Sequence, residues 1–207
     1  KEYLQHKDEL DAITRKQLES ILRSAALYPG TIPDVVSARV QAEAKQSAVL
    51  NGFEFHYEQK GAPVQLITPN QLDDILTKST DLAERKHAWE VSKQTGAALK
   101  PGLLELQTIR NRVATEMSYH SFFDLQVSSY EMSVPEMMKT MKQFNEDLKP
   151  LYTQLHCWTK NILAEKYHQP VPKKIPAHWL GNRWSQAWPG IVEGVNLDEL
   201  FKDKQPE

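Results

Sequence analysis

The chain has 207 residues, of which 40% are hydrophobic and 25% charged, with a formal net charge of -2. That length supports a real apolar core, and the composition is that of a folded globular chain, far from disorder. A charge this small, with no basic stripe, gives no drive toward nucleic acid, and no apolar run approaches the eighteen residues of a membrane span. The single Cys157 leaves no internal disulfide, and its neighbours Leu155, Trp158 and Ile162 predict a small buried hydrophobe rather than a reactive thiol.

In chain order, Tyr3 to Leu10 already has helical spacing, and Thr14–Leu27 and Pro33–Leu50 read as two helices. The turn-forming connector Tyr28-Pro-Gly-Thr-Ile-Pro33 joins these two. Between Asn51 and Pro69 the period changes. Phe53-Glu-Phe-His-Tyr57 alternates, Lys60-Gly-Ala-Pro63 turns, and Val64–Ile67 is β-branched and apolar, which predicts a small β-hairpin excursion near 53–67. A short helix follows from Thr68 through Leu76. A long one is expected over Asp81–Met117, divided or bent at Gly96 and Pro101-Gly102.

Ser133-Val-Pro-Glu136 is a helix start, with Ser133 as N-cap, Glu136 as its reciprocal partner and Pro135 tolerated in the first turn. From there Met137, Met141, Phe144, Leu148, Leu151, Leu155, Trp158 and Ile162 recur at steps of four and three. They form one stripe on a helix expected to dock on others and to kink at Pro150. With no internal repeat and no long linker, the reading is a single all-α segment over 1–207. It consists of long, kinked amphipathic helices with one minor hairpin.

Ile175-Pro-Ala-His-Trp-Leu-Gly-Asn-Arg-Trp-Ser-Gln-Ala-Trp188 packs three Trp, a His, an Asn and a Gln into fourteen residues. Apolar rings beside a few aimed hydrogen-bonding groups make a ligand cleft, although a tightly packed inter-helix corner has the same composition. This block resembles one in the angiotensin-converting-enzyme family of zinc peptidyl-dipeptidases, especially its bacterial members. Ala88-Trp-Glu-Val-Ser-Lys93, Leu104-Glu-Leu with Arg110-Asn111, Lys149-Pro-Leu-Tyr-Thr-Gln-Leu-His156 and Val192-Glu-Gly-Val-Asn-Leu-Asp198 carry the likeness further.

The resemblance implies a peptidase that binds zinc through a His-Glu-x-x-His helix and a downstream Glu. No two of the seven His here lie four apart, so that motif is absent. In family order it would follow the last residue of the chain. The expectation is therefore an N-terminal portion of a longer peptidase, cut at both ends and ending at Lys204-Gln-Pro-Glu207. It would be inactive alone and hold no metal itself, with the C-terminal remainder of the same peptidase as its partner.

What the resemblance assigns to these residues is the substrate's C-terminal carboxylate. Gln186 would hold that anion through a neutral amide, beside a Lys and a Tyr from later sequence, with Trp184 and Ala187 lining the pocket. Many animal members have Thr or Ser where this chain has Ala187, so a hydrogen bond from that side chain is lost. His178 and Asn182 read as structural. The chloride-binding Arg of animal members has no counterpart in Val91-Ser92-Lys93. Substrates would be peptides with a free C-terminus, and relatives are commonly periplasmic, extracellular or membrane-anchored.

Two rivals are weighed against this. Glu84-Arg-Lys-His87 and Glu165-Lys-Tyr-His168 share the Glu-x-x-His spacing of di-iron bundles. However, the first lies beside Arg85 and Lys86 on what reads as a solvated face, and the second precedes Gln169-Pro170 at a helix end. The other rival is a self-contained, non-catalytic helical binding or scaffold module. It predicts a closed polar surface around the Trp block, where the peptidase reading predicts Trp179, Trp184 and Trp188 uncovered and prone to self-association.

Overall fold

The computed structural model describes residues 6–58, 61 and 63–191. The Val192–Asp198 tail, the Lys204–Glu207 end, the first three residues of the expected Tyr3–Leu10 helix and part of the Lys60–Pro63 turn lie outside them; the described rest of that helix is a single 3-10 turn, Lys7–Glu9. The fold is all-α with one two-stranded antiparallel sheet. Its contacts divide into two compact units, Lys1–Gly52 with Ala97–Asp147, and Phe53–Gly96 with Leu148–Glu207.

The first unit holds α1 (Ala12–Ala25), α2 (Pro33–Asn51), α5 (Thr95–Glu116, from Ala97), α6 (Phe122–Ser128) and the first part of α7 (Val134–Lys166). Asp11 caps α1 by accepting the N–H groups of Ile13 and Thr14, and Pro33 opens α2, where its missing N–H costs nothing. Ala26, Val35, Val113, Ala114 and Leu125 form the core. Arg110 pairs with Glu43 at 2.9 Å and so ties α5 to α2. α5 runs close to α2 at Gly102, where a Cβ would collide with the Gln46 amide. The Asn111 carboxamide oxygen accepts the Phe122 N–H at 2.9 Å, which fixes the start of α6.

The second unit begins with the hairpin of β1 (Phe55–Tyr57) and β2 (Gln65–Ile67), in register Phe55 with Ile67, His56 with Leu66 and Tyr57 with Gln65. Phe55 and Tyr57 are buried and His56 between them is exposed, as two-residue alternation requires. Gln94 extends the ladder side-on, donating to the His56 oxygen and accepting its N–H. α3 (Pro69–Lys78) starts in a capping box between Thr68 and Gln71, and α4 (Leu82–Val91) is capped by Asp81. Leu72, Ala88 and Val91 pack on the hairpin. A second cluster of Leu163, Ala164, Tyr167, Trp179 and Leu180 joins the end of α7 to the Trp block.

Several expectations need correction. The helix expected over Asp81–Met117 is two helices, and the break falls at Ser92–Gln94, ahead of Gly96. α5 is not divided at Pro101-Gly102, while α7 runs through Pro150 as one helix, as its spacing predicts. The Ser133–Glu136 start is formed: Glu136 Oε2 accepts the Ser133 N–H at 2.8 Å, and Ser133 Oγ accepts the Glu136 N–H at 3.4 Å. Among the described residues most of the apolar stripe that follows is exposed. Met141, Phe144, Leu148, Leu151, Leu155 and Trp158 are exposed, and the residues of α7 that are buried are Thr159, Leu163 and Ala164. Cys157 is exposed as well, not the buried hydrophobe its neighbours imply.

Candidate carboxylate-binding site

The Trp block starts from a short 3-10 turn, Ala177–Trp179, placed by a side chain of opposite chemistry to its own. Arg85 on α4 is only 2% exposed. Its Nε donates to the His178 oxygen at 2.8 Å, Nη1 to the Ser79 oxygen at 2.8 Å and Nη2 to the Leu180 oxygen at 3.1 Å. The guanidinium also lies over the Tyr167 ring, 5.2 Å from its centroid. Tyr167 Oη in turn donates to the Trp179 oxygen at 3.2 Å. Three peptide carbonyls thus solvate a charge that burial alone would make costly.

Downstream, residues 181–186 fold into a turn held from α3 and from the segment after α4. Thr77 Oγ1 donates to the Gly181 oxygen at 3.1 Å. Asp73 Oδ1 accepts from both the peptide N–H of Arg183, at 3.3 Å, and its Nε, at 3.0 Å. From just past α4, Lys93 Nζ donates to the Arg183 oxygen at 2.5 Å. Inside the turn, Asn182 Oδ1 accepts the Gln186 N–H at 3.0 Å, and Ser185, in the left-handed region at φ 58°, donates from Oγ to the Ala177 oxygen at 3.0 Å.

Burial and the positive charge of Arg183 pull the Lys93 ammonium below its ordinary pKa. Burial, then Arg85 and Lys86, depress His178, with Glu90 opposing.

The three Trp fare differently. Trp179 is 6% exposed and belongs to the core, whereas Trp184 is 63% exposed with the Arg183 guanidinium 4.7 Å from its ring centroid. Trp188 is half-buried and meets Tyr152 and His156 with centroids about 6 Å apart. The uncovered aromatic surface expected of all three therefore reduces to Trp184 and part of Trp188. Gln186 is exposed, and among the described residues its side-chain amide makes no hydrogen bond. Ala187 is half-buried beside Gly181. Asn182 and His178 both take part in holding the turn, Asn182 by its side chain and His178 by its backbone oxygen.

The family model described as angiotensin-converting enzyme matches residues 8–202. The chain belongs to the angiotensin-converting-enzyme family of peptidases. It is 35% identical over 124 residues to the angiotensin-converting enzyme of Theromyzon tessulatum, covering 58% of this chain and 20% of that protein. To the enzyme of Sus scrofa it is 30% identical over 128 residues, 60% of this chain and 10% of that protein. To the angiotensin-converting enzyme-like protein Ace3 of Mus musculus it is 31% identical over 129 residues, 60% and 17%. The matched stretch is thus about a fifth or less of the length of these curated relatives.

Zinc is the metal that the family resemblance implies. Among the described residues no three His, Cys, Asp or Glu side chains converge. Glu84 accepts from Ser79 Oγ at 2.6 Å, and the His87 ring lies 4.6 Å from that of Tyr57. Among the same residues no helix is long and apolar enough to cross a membrane.

Asp73, Arg85, Lys93 and Arg183 were not singled out by sequence as site residues. Arg85 contradicts the solvated-face reading of Glu84–His87 outright. One signal did point inward: Arg85, Ala88 and Val91 recur every third residue, and all three are buried.

Proposed function

We propose that this chain is part of a zinc-dependent peptidyl-dipeptidase, of the bacterial branch of its family, that releases C-terminal dipeptides. Its 181–188 segment forms cleft wall and Gln186 contacts the substrate's terminal carboxylate, with Trp184 and Ala187 beside it. The observation that supports this most is the unequal use of the Trp block. A corner built only for packing would bury its amide and rings together. Here Trp179 goes to the core, while Gln186 and Trp184 face solvent from a braced turn.

Zinc is held in this reading by residues elsewhere in the full-length polypeptide, and no step of hydrolysis falls to the residues described here. Peptides with a free C-terminus are the substrates, and the enzyme acts outside the cytoplasm or anchored to the outer membrane face. The rest of the same peptidase completes the cleft. A non-catalytic binding module is favoured only by the burial of Trp179.

The test is an assay on a blocked tripeptide. The full-length polypeptide should release a dipeptide and lose activity to a chelator, while residues 1–207 alone should give no turnover. Chelator-sensitive turnover by the segment would refute its assigned inactivity. A full-length protein without peptidase activity would leave the binding-module reading standing.

A further inference from the structure

The turn carrying Gln186 is not one the chain adopts cheaply. Ser185 sits at φ 58°, a conformation that non-glycine residues hold only where their surroundings over-determine it. Part of that support is internal, from Asn182 Oδ1 on the Gln186 N–H, and the rest comes from outside the turn. A single carboxylate oxygen of Asp73 binds Arg183 twice, at the peptide N–H and at Nε. The second of these bonds sets where the guanidinium lies, 4.7 Å from the Trp184 ring centroid. Thr77, one helical turn further along α3, secures the Gly181 oxygen, and Lys93 secures the Arg183 oxygen from the opposite end of the same residue. Asp73 is 32% exposed and Arg183 18%, so water screens this pair less than most surface ion pairs.

We infer that Asp73 is a positioning residue for Gln186. Through Arg183 it fixes the turn from which the Gln186 amide and the Trp184 ring project, and so sets how strongly a peptide's C-terminal carboxylate is gripped. The inference rests on the carboxylate role of Gln186. It adds a device that the family likeness does not assign, since it runs through this chain's own Arg183. A bond geometry held loosely by even a few tenths of an ångström costs binding of the anion, not the chemistry two residues further along the peptide.

The experiment compares one blocked tripeptide, as free acid and as C-terminal amide, on full-length Asp73→Ala, Asp73→Asn and Gln186→Ala. Asp73→Ala should raise KM for the acid by about five- to ten-fold, with kcat and the rate on the amide within about two-fold. Asp73→Asn keeps an acceptor oxygen for the Arg183 N–H and should recover most of that loss. Equal losses on acid and amide, or a fall in kcat at constant KM, would overturn the inference and leave Asp73 a stabilising contact only. If Gln186→Ala raises KM for the acid and Asp73→Ala does not, positioning fails while the reading of Gln186 survives. If Gln186→Ala leaves the acid-to-amide ratio unchanged, that reading fails and takes this one with it. Should Asp73→Ala not fold, Arg183→Met, which removes the Nε donor to Asp73 and keeps the peptide N–H, carries the same comparison with the same outcomes.

Discussion

Arg85 donates to the backbone oxygen of His178 at 2.8 Å, from a helix 93 residues earlier in the chain. That bond and its two companions make a buried guanidinium the organiser of an aromatic corner. The physical reason is geometric: a planar fork of five N–H donors can satisfy three carbonyls that point inward from different segments.

Replacing Arg85 should therefore be among the most damaging single changes in the second unit. Arg85→Ala leaves the oxygens of Ser79, His178 and Leu180 without their donor, and is expected to cost about 3 kcal/mol or more. Arg85→Lys should recover less than half, because one ammonium cannot span the three acceptors. Urea unfolding followed by Trp fluorescence measures both. A loss under about 1 kcal/mol for the alanine variant would sink the account.

The Trp block offers a contrast within fourteen residues. Trp179→Ala removes a ring from the cluster with Leu163, Ala164, Tyr167 and Leu180, and should cost about 3–5 kcal/mol. Trp184→Ala loses only an exposed ring and its approach to Arg183, and should cost about 1 kcal/mol or less. Thermal unfolding of the two variants side by side decides the matter. Similar losses would mean that Trp184 is packed and not presented.

How much of this could be read from sequence follows from what periodicity encodes. Alternation at Phe55, His56 and Tyr57 was legible because a half-buried strand must bury every second residue. The Ser133–Glu136 start was legible because both partners of a capping box lie within four residues. The α7 stripe was legible as a shared face, but spacing says nothing about whether another element covers that face. Met141 to Trp158 are exposed while Thr159, Leu163 and Ala164 are buried. Arg85 was misread for a related reason. Its partners are backbone oxygens that no residue type announces, and a charged side chain among charges looks solvated until its acceptors are placed. The Asp73–Arg183 pair spans 110 residues, so nothing local signals it.

The exposed stripe has its own consequence. Leu151, 68% exposed, should tolerate Leu151→Lys within about 0.5 kcal/mol, whereas Leu163→Ala, on the same helix and 2% exposed, should cost about 2–5 kcal/mol. If residues 1–207 self-associate, sedimentation of Trp184→Ser and Leu151→Lys separates the expected Trp surface from α7. Relief by Trp184→Ser supports association through the Trp block, and relief by Leu151→Lys alone moves it to the helix.

Acid should weaken the aromatic corner through His178. Burial is the largest cause of its lowered pKa, with Arg85 and Lys86 adding repulsion. The folded chain therefore holds His178 neutral at pH values where the unfolded chain, titrating near 6.5, has taken up a proton. The unfolded state binds more protons in that window, so this contribution is intact above about pH 6.5 and is lost as pH falls from there through the folded value. His178→Gln abolishes the titration but leaves the backbone oxygen that Arg85 uses. The drop in Tm between about pH 7.5 and pH 5.5 should be smaller for the variant than for the parent chain. Identical drops would assign the acid sensitivity to other groups and leave His178 without a titrating role.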